Sequence, residues 1–414
     1  MSNDKYIFPL FLLLLFTAVP ARSVPAQAAP LYSAPQYCPP LSPPPADAVL
    51  VADESSLRAL TVSAPANTTL LLAAGTYYMQ DFLHISVSGL TLRGAVGSRD
   101  AVVLDFGGML AGYFGILVDA DDVTIADLTI RNAHDHGVSI QGVDRPVLYN
   151  LHILDIGDQL VKVNPAGDGS QDGLLACSRL EYTTTAPDDY TNGISAHDAH
   201  HWTVRDNEWL RIRSPADITG PTILFWSGSS DTLVERNWLF NCYRGIAFGN
   251  PSHTGVDHTG GIVRNNMISF NQPHDVAIEM THAQGWLVAN NTALLRSPAP
   301  GLTWGMEARY SDSQGVFAYN LSNLEIWEDR DGAVGSVLGN LTTAQPGWFL
   351  DPDQGNLHVG QGVGAVIDQA ALLPEVPEDY DGQLRPAGSA PDIGADEVQT
   401  EAIDRQAFLP LLRR

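Results

Sequence analysis

After Lys5 the chain contains one further lysine, Lys162, in the segment Leu160-Val161-Lys162-Val163-Asn164. Every other cation from there on is Arg or His. A crowded lysine can lose its proton near neutral pH, whereas an arginine cannot, so Lys162 is a candidate base. A surface lysine without a task is the plainer alternative. His197 opens the run His197-Asp198-Ala199-His200-His201. Such clusters can hold a metal, but the spacing fits no zinc motif, and a solvated turn explains it as well. Trp226 stands where strand alternation turns it outward, as a sugar platform or as packing beneath a loop. Arg244 and Arg309 could face a carboxylate. Glu279 and Glu307 could pair with Arg309, the plainer reading, or hold a cation; hard oxygen ligands would favour Ca²⁺, although no loop spells a calcium motif. The loop 249–261 adds His253, Asp257 and His258, and His134-Asp135-His136 and His274-Asp275 precede other apolar segments.

Short alternating segments must position these groups: GVSIQ (137–141), LVKVN (160–164), GISAH (193–197), TILFW (222–226), GIAFG (245–249), VAIEM (276–280) and GMEAR (305–309). Side chains alternate across a strand, so with the apolar set inside, the outward set contains Gln141, Lys162, Asn164, Ser195, His197, Leu224, Trp226, Glu279, Glu307 and Arg309. Stacked about 4.8 Å apart, such strands give one face several coils long, which suits a run of sugar rings.

A second series carries the fold. It includes GLTLRGA, VTIADLTI, VLYNLHI, WTVRDNEWL, TLVERNWLF, GIVRNNMIS and WLVANNTAL, with markers at Gly94, Asp127, Asn150, Ser178, Asn207, Asn237, Asn266, Asn291, Asn320 and Asn340. Five of the nine gaps between markers are 28 to 30 residues, a solenoid period. The segments alternate with period two, and no 3.6-residue period is sustained, which predicts a β-solenoid. Asn residues stacked at one turn can hydrogen-bond along the ladder, so they are assigned to the scaffold.

The repeat, opening with LLLAAGTYYMQDFLHISVSGLTLRGA (70–95), resembles the right-handed parallel β-helix superfamily of pectate-lyase-like proteins. Its N-terminal part looks like the branch of chondroitinase B and the family 6 alginate lyases. Towards the C-terminus, Asn356-Leu357-His358, Asp381-Gly382, Arg385-Pro386 and Asp392-Ile393-Gly394-Ala395-Asp396-Glu397 look like the closing module of many secreted β-helix proteins. The resemblance covers about residues 48–397 and implies a polysaccharide lyase with a Lys base, an Arg partner and often a Ca²⁺ on the substrate carboxylate. The family's calcium-binding Asn/Glu/Glu set has no aligned counterpart here, so the metal stays unassigned.

Of the 414 residues, 44% are hydrophobic and only 17% charged, enough for a long core, and 37 Gly with 27 Pro suit many turns. A formal net charge of −25 would repel nucleic acid and anionic membranes. Lys5, the apolar run Ile7 to Val19 and Ala26-Gln27-Ala28 form a secretory-signal pattern, too short to span a bilayer. The expected organisation is therefore a signal peptide (1–28), a flexible Pro-rich linker (29–47), a parallel β-helix of about ten coils (48–345), a closing module over the last coil (346–398) and a tail (399–414). The mature chain is expected to be extracellular, outside the membrane and monomeric. Cys38, Cys177 and Cys242 form no disulfide framework; Cys177–Cys242 is one available pairing.

Three functions compete. A lyase acting on a uronate polysaccharide would use Lys162 as base, Arg309 or Arg244 opposite the carboxylate and His197 in the acid/base work, with Asn164, Trp226, Arg244, His258, Glu279 and Glu307 along the substrate. A glycoside hydrolase needs two converging carboxylates, for which Asp198, Asp257, Glu279 and Glu307 are available. A glycan-binding surface protein needs neither. The density of His, Arg, Trp and Glu on one face favours an active site, and the lyase is the expectation.

Overall fold

A computed structural model describes residues 38–216 and 219–399; the signal segment and the tail beyond Gln399 lie outside them. Apart from one α-helix and two 3₁₀ turns, the regular structure is β. Three parallel sheets wind about a common core, as the period-two segments predict. The first runs from Val49–Val51 to Val334–Leu338. The second has ten strands, from Gly75–Tyr78 to Leu321–Ser322. The third also has ten, from Leu83–Ile85 to Glu325–Arg330. Register holds like over like. Leu104, Ile130, Ile153, Leu180, Trp209, Leu239, Ile268 and Ala293 form one unbroken inner stack on the second sheet, all fully buried. Each large member contributes about 1.5–3 kcal/mol of burial.

The asparagine ladder forms from Ser178 onwards. The backbone N–H groups of Ser178, Asn207, Asn237, Asn266, Asn291 and Asn320 each donate to the Oδ1 of the next Asn, at 2.8–3.3 Å. In the first coils the expected markers are one residue out of phase. Asp127 and Asn150 occupy the left-handed position before the ladder (φ 57° and 49°), and Leu128 and Leu151 take the ladder place itself. Asn and Asp are favoured at both sites, which hides the shift in the sequence.

Other expectations need correction. Glu54–Ser63 is an α-helix, capped by Asp53 accepting from Ser56 N–H, with Leu57 and Thr61 buried; ten residues are too few to show a sustained period. Cys177 pairs with Cys38 (Cα–Cα 5.6 Å), and Cys242 is a buried free thiol. Residues 38–47 are no loose linker: Cys38 and Leu41 pack against Ala126, Tyr149 and Ala176, and Arg93 donates to the Ser42 carbonyl at 2.8 Å. The closing module packs beside the helix, not over its last coil. Phe349, Leu357 and Tyr380 join Leu210, Trp238, Met267 and Leu294 in a second core. Its motif residues are structural: Arg385 pairs with Glu397 at 2.9 Å, and Asp396 accepts from Val359 N–H. The last strands, Glu325–Arg330 and Val334–Leu338, have a neighbour on one side only, and Val334, Val337 and Leu338 are exposed.

Candidate active site

On the third sheet Val161 and Val163 point into the core, which turns Lys162 outward between Ser139 and Ser195 on the flanking strands. Outward does not mean exposed: Lys162 is only 4% accessible. Its Nζ lies 2.9 Å from His197 Nε2 and 3.4 Å from Ser195 Oγ. No ion pair holds it among the described residues. Burial pushes its pKa down to about 8, against the opposing pull of Asp158. Burial, reinforced by Lys162 and His253, takes His197 down to about 4, so its imidazole is neutral and can accept from the ammonium. His136, on the other side, is brought to about 4 by the same two causes, burial and Lys162. Asp158 goes up to about 6 through burial and the nearby Asp135 and Asp188.

A second outward row supports the first. His197 and Trp226 are register partners with ring centroids 4.3 Å apart, and Trp226 Nε1 donates to Ser195 Oγ at 3.3 Å. Trp226 is half-buried, and His253 lies 4.6 Å from its ring. His253 is aimed by Asp257 (2.8 Å), whose carboxylate also accepts from the N–H groups of Ser227 and Asn250. Gly249 follows Trp226 on the next strand, at φ 77°. A Cβ there would stand 1.7 Å from the Thr281 carbonyl, so only glycine fits. The cleft beside this row is lined by Tyr190, Asn192, Ser195, Leu224, Trp226, Arg244 and Gly249, among others.

The acidic candidates form a separate cluster further along. Glu279 and Glu307 are register partners on adjacent strands, 1% and 2% accessible. Arg244 contacts Glu279 and lies 3.3 Å from Asp275; Arg309 reaches Glu279 at 3.5 Å and Asp331 at 3.0 Å. Glu307 pairs with Arg330, and burial beside Glu279 raises it to about 7. The expected ion pair with Arg309 is thus made by Glu279. Asn164 continues the second row next to Gln141, away from the cleft lining. His258 is a core histidine, not a substrate ligand: it is 1% accessible, stacks on Phe248 at 4.0 Å and bonds Thr232 Oγ1 at 3.0 Å. Burial takes its pKa down to about 3. Pattern reasoning passed over Asp158 and Arg330. Asp158 had a local signal, four residues before Lys162; Arg330 is placed by register alone.

Among the described residues one group of three metal-type side chains converges, His358, Asp381 and Asp396, and it lies in the closing module. His358 there already bonds Asp381 at 2.9 Å and Asn356 at 2.7 Å. Beside Lys162 the carboxylates of Asp135, Asp158 and Asp188 influence one another but do not converge to the same distance among the described residues, so the metal stays unassigned and no step is routed through one.

Three parallel sheets and an asparagine ladder define a right-handed parallel β-helix. Among solved structures the chain is similar to pectate lyase Pel9A, with TM-score 0.57 and 14% identity over 82% of this chain and 90% of that one. It is also similar to an alginate lyase from Paenibacillus sp. str. FPU-7 (TM-score 0.49, 18% identity, 71% and 99% covered). A third is PfbA, a surface adhesin of Streptococcus pneumoniae (0.47, 11%, 72% and 91%). At 14% identity the likeness to Pel9A shows the fold alone. No family model and no curated protein matches the chain.

Proposed function

We propose that the protein is a secreted polysaccharide lyase that cleaves a uronate-containing polymer by β-elimination, with Lys162 as the base. One observation carries this: a lysine that is buried, outside any ion pair among the described residues and bonded to a neutral imidazole, at the edge of a cleft on the face of a β-helix. In the step, Lys162 Nζ takes the proton next to the uronate carboxylate. The released electron pair forms the ring double bond, the glycosidic C–O bond breaks, and the leaving oxygen takes a proton from water. The ammonium so formed donates to His197 Nε2, which steadies it while the lysine is charged. Arg244 lines the same cleft and is the guanidinium placed to meet the carboxylate, with Asp275 and Glu279 fixing its orientation. Half-buried Trp226 offers its remaining surface to a sugar ring.

Export is supported by the signal pattern at residues 1–28 and by the Cys38–Cys177 disulfide, since such bonds persist in oxidising compartments. Among the described residues no helix is long and apolar enough to cross a membrane.

A hydrolase reading has one observation in its favour. Glu279 and Glu307 are paired in register, with Glu307 raised to about 7, and a raised carboxyl beside a second carboxylate serves as general acid in glycosidases. Both, however, are held in ion pairs, Glu279 with Arg244 and Arg309 and Glu307 with Arg330.

The test is ultraviolet absorbance of the unsaturated product, with a panel of uronate polymers, for the native protein and Lys162→Ala. Absorbance should rise with at least one polymer, and Lys162→Ala should lose at least about a hundredfold in rate, the low end of general-base effects. New reducing ends without absorbance would transfer the case to Glu279 and Glu307. Full activity in Lys162→Ala would remove Lys162 as the base.

A further inference from the structure

The outer face of the third sheet does not end at the cleft. Beyond it, both guanidinium groups are already matched: Arg309 by Glu279 and Asp331, Arg330 by Glu307. Of the four cations on this strip, Lys162 alone is in no ion pair among the described residues. A polymer with a carboxylate on every ring would pass the part-exposed carboxylates of Asp275 and Asp331 with no unmatched cation to meet it, and like charges set side by side cost several kcal/mol.

What the far strip offers is aromatic. Trp304 and Trp327 stack with centroids 4.2 Å apart and planes 22° from parallel, and the Arg330 guanidinium lies 4.7 Å from the centre of the Trp304 ring. Trp327 is the register partner of Glu307, so it stands on the outward row, partly exposed. Trp304 Nε1 is buried without an acceptor. Flat rings flanked by guanidinium donors suit the apolar face and hydroxyls of an uncharged pyranose. The Trp327 strand is six strand steps from that of Lys162, roughly 29 Å at ~4.8 Å per strand.

Resting on the lyase reading above, we propose that the Trp304–Trp327 stack with Arg330 is a distal subsite for an uncharged sugar residue. The polymer cleaved at Lys162 is then a heteropolysaccharide whose uronates are separated by uncharged residues.

Affinity electrophoresis of the Lys162→Ala chain needs no turnover and tests this directly. The gels would contain hyaluronan, gellan or polygalacturonate, and the chain would be run with and without a further Trp327 substitution. Retardation should be stronger in hyaluronan or gellan than in polygalacturonate. Trp327→Ala should weaken it by up to about tenfold, the upper range of an aromatic contact. Trp327→Tyr, which keeps a ring, should retain most of it. The proposal is overturned if polygalacturonate retards most, if no polymer retards the chain, or if Trp327→Ala changes nothing. Retardation that depends on Trp327, without any β-elimination by the native protein, would remove the lyase reading and leave the subsite. Elimination with retardation indifferent to Trp327 would do the reverse.

Discussion

Replacing Lys162 by Met should inactivate the protein and, at neutral pH, make it more stable. The native state holds Lys162 with a pKa near 8, against 10.5 for the free side chain, because burial penalises the charged form. Below pH 8 both folded and unfolded chains carry the proton, and the folded chain bears the whole penalty. At 1.36 kcal/mol per pH unit this is about 3 kcal/mol. Between about pH 8 and 10.5 the unfolded state binds more protons than the folded one, so stability rises with pH. Above 10.5 both forms are neutral and the penalty is gone. Methionine has nearly the same length and no charge, so it removes the penalty and loses the hydrogen bond to His197, about 1 kcal/mol. The net gain at pH 7 is about 2 kcal/mol. It should shrink through pH 8–10.5 and turn into a small loss beyond. Urea midpoints of the two chains, measured side by side from pH 6 to 11, read this directly, because other titrating groups cancel in the comparison. A gain that is absent at pH 7, or equally large at both ends, would refute the assignment of Lys162 as a buried, charge-penalised amine.

The scaffold makes two further tests available. Cys38→Ser frees a strap closed over 139 residues of sequence and should cost about 2–4 kcal/mol. The variant's denaturation midpoint should match that of the reduced native protein, and a midpoint equal to the oxidised protein would mean the strap contributes nothing. Asn266→Ala removes the acceptor of Asn237 N–H and interrupts a ladder of six bonded backbone groups. Orphaning that buried donor costs about 1–3 kcal/mol, and removing Asn266 Nδ2 from the Val234 carbonyl adds to it. Amide exchange should quicken first at Asn237; unchanged exchange there would show that the ladder is passive.

The fold was legible because a solenoid repeats its rule. Each coil asks again for alternating apolar residues and a turn-compatible polar residue, so noise in one coil is corrected by the next. Where the rule was stated in two ways, it was misread: Asp127 and Asn150 satisfy the left-handed turn position as well as they would the ladder. The exceptions all lie outside the repeat. The ten-residue helix Glu54–Ser63, the strap from Cys38 and the lateral seat of the closing module are each made once. Nothing elsewhere in the chain restates them.

The site was legible to the extent that strand parity fixes direction. Parity put Lys162, Ser195, His197 and Trp226 outward, and register then brought them into contact. Parity says nothing about depth, and depth decides the chemistry. Lys162 and Glu279 both point outward, and both are nearly inaccessible. Glu279 is covered by arginines that neutralise it, whereas Lys162 is covered by a neutral imidazole and hydroxyls that do not. An outward glutamate under guanidinium groups is a scaffold ion pair. An outward lysine in no ion pair among the described residues keeps the depressed pKa that the proposed base role needs. His258 failed for a related reason. It lies in the two-residue strand His258–Thr259, hidden in what reads as a loop, and Thr232 comes from the preceding coil, so only the folded chain shows that its ring points inward.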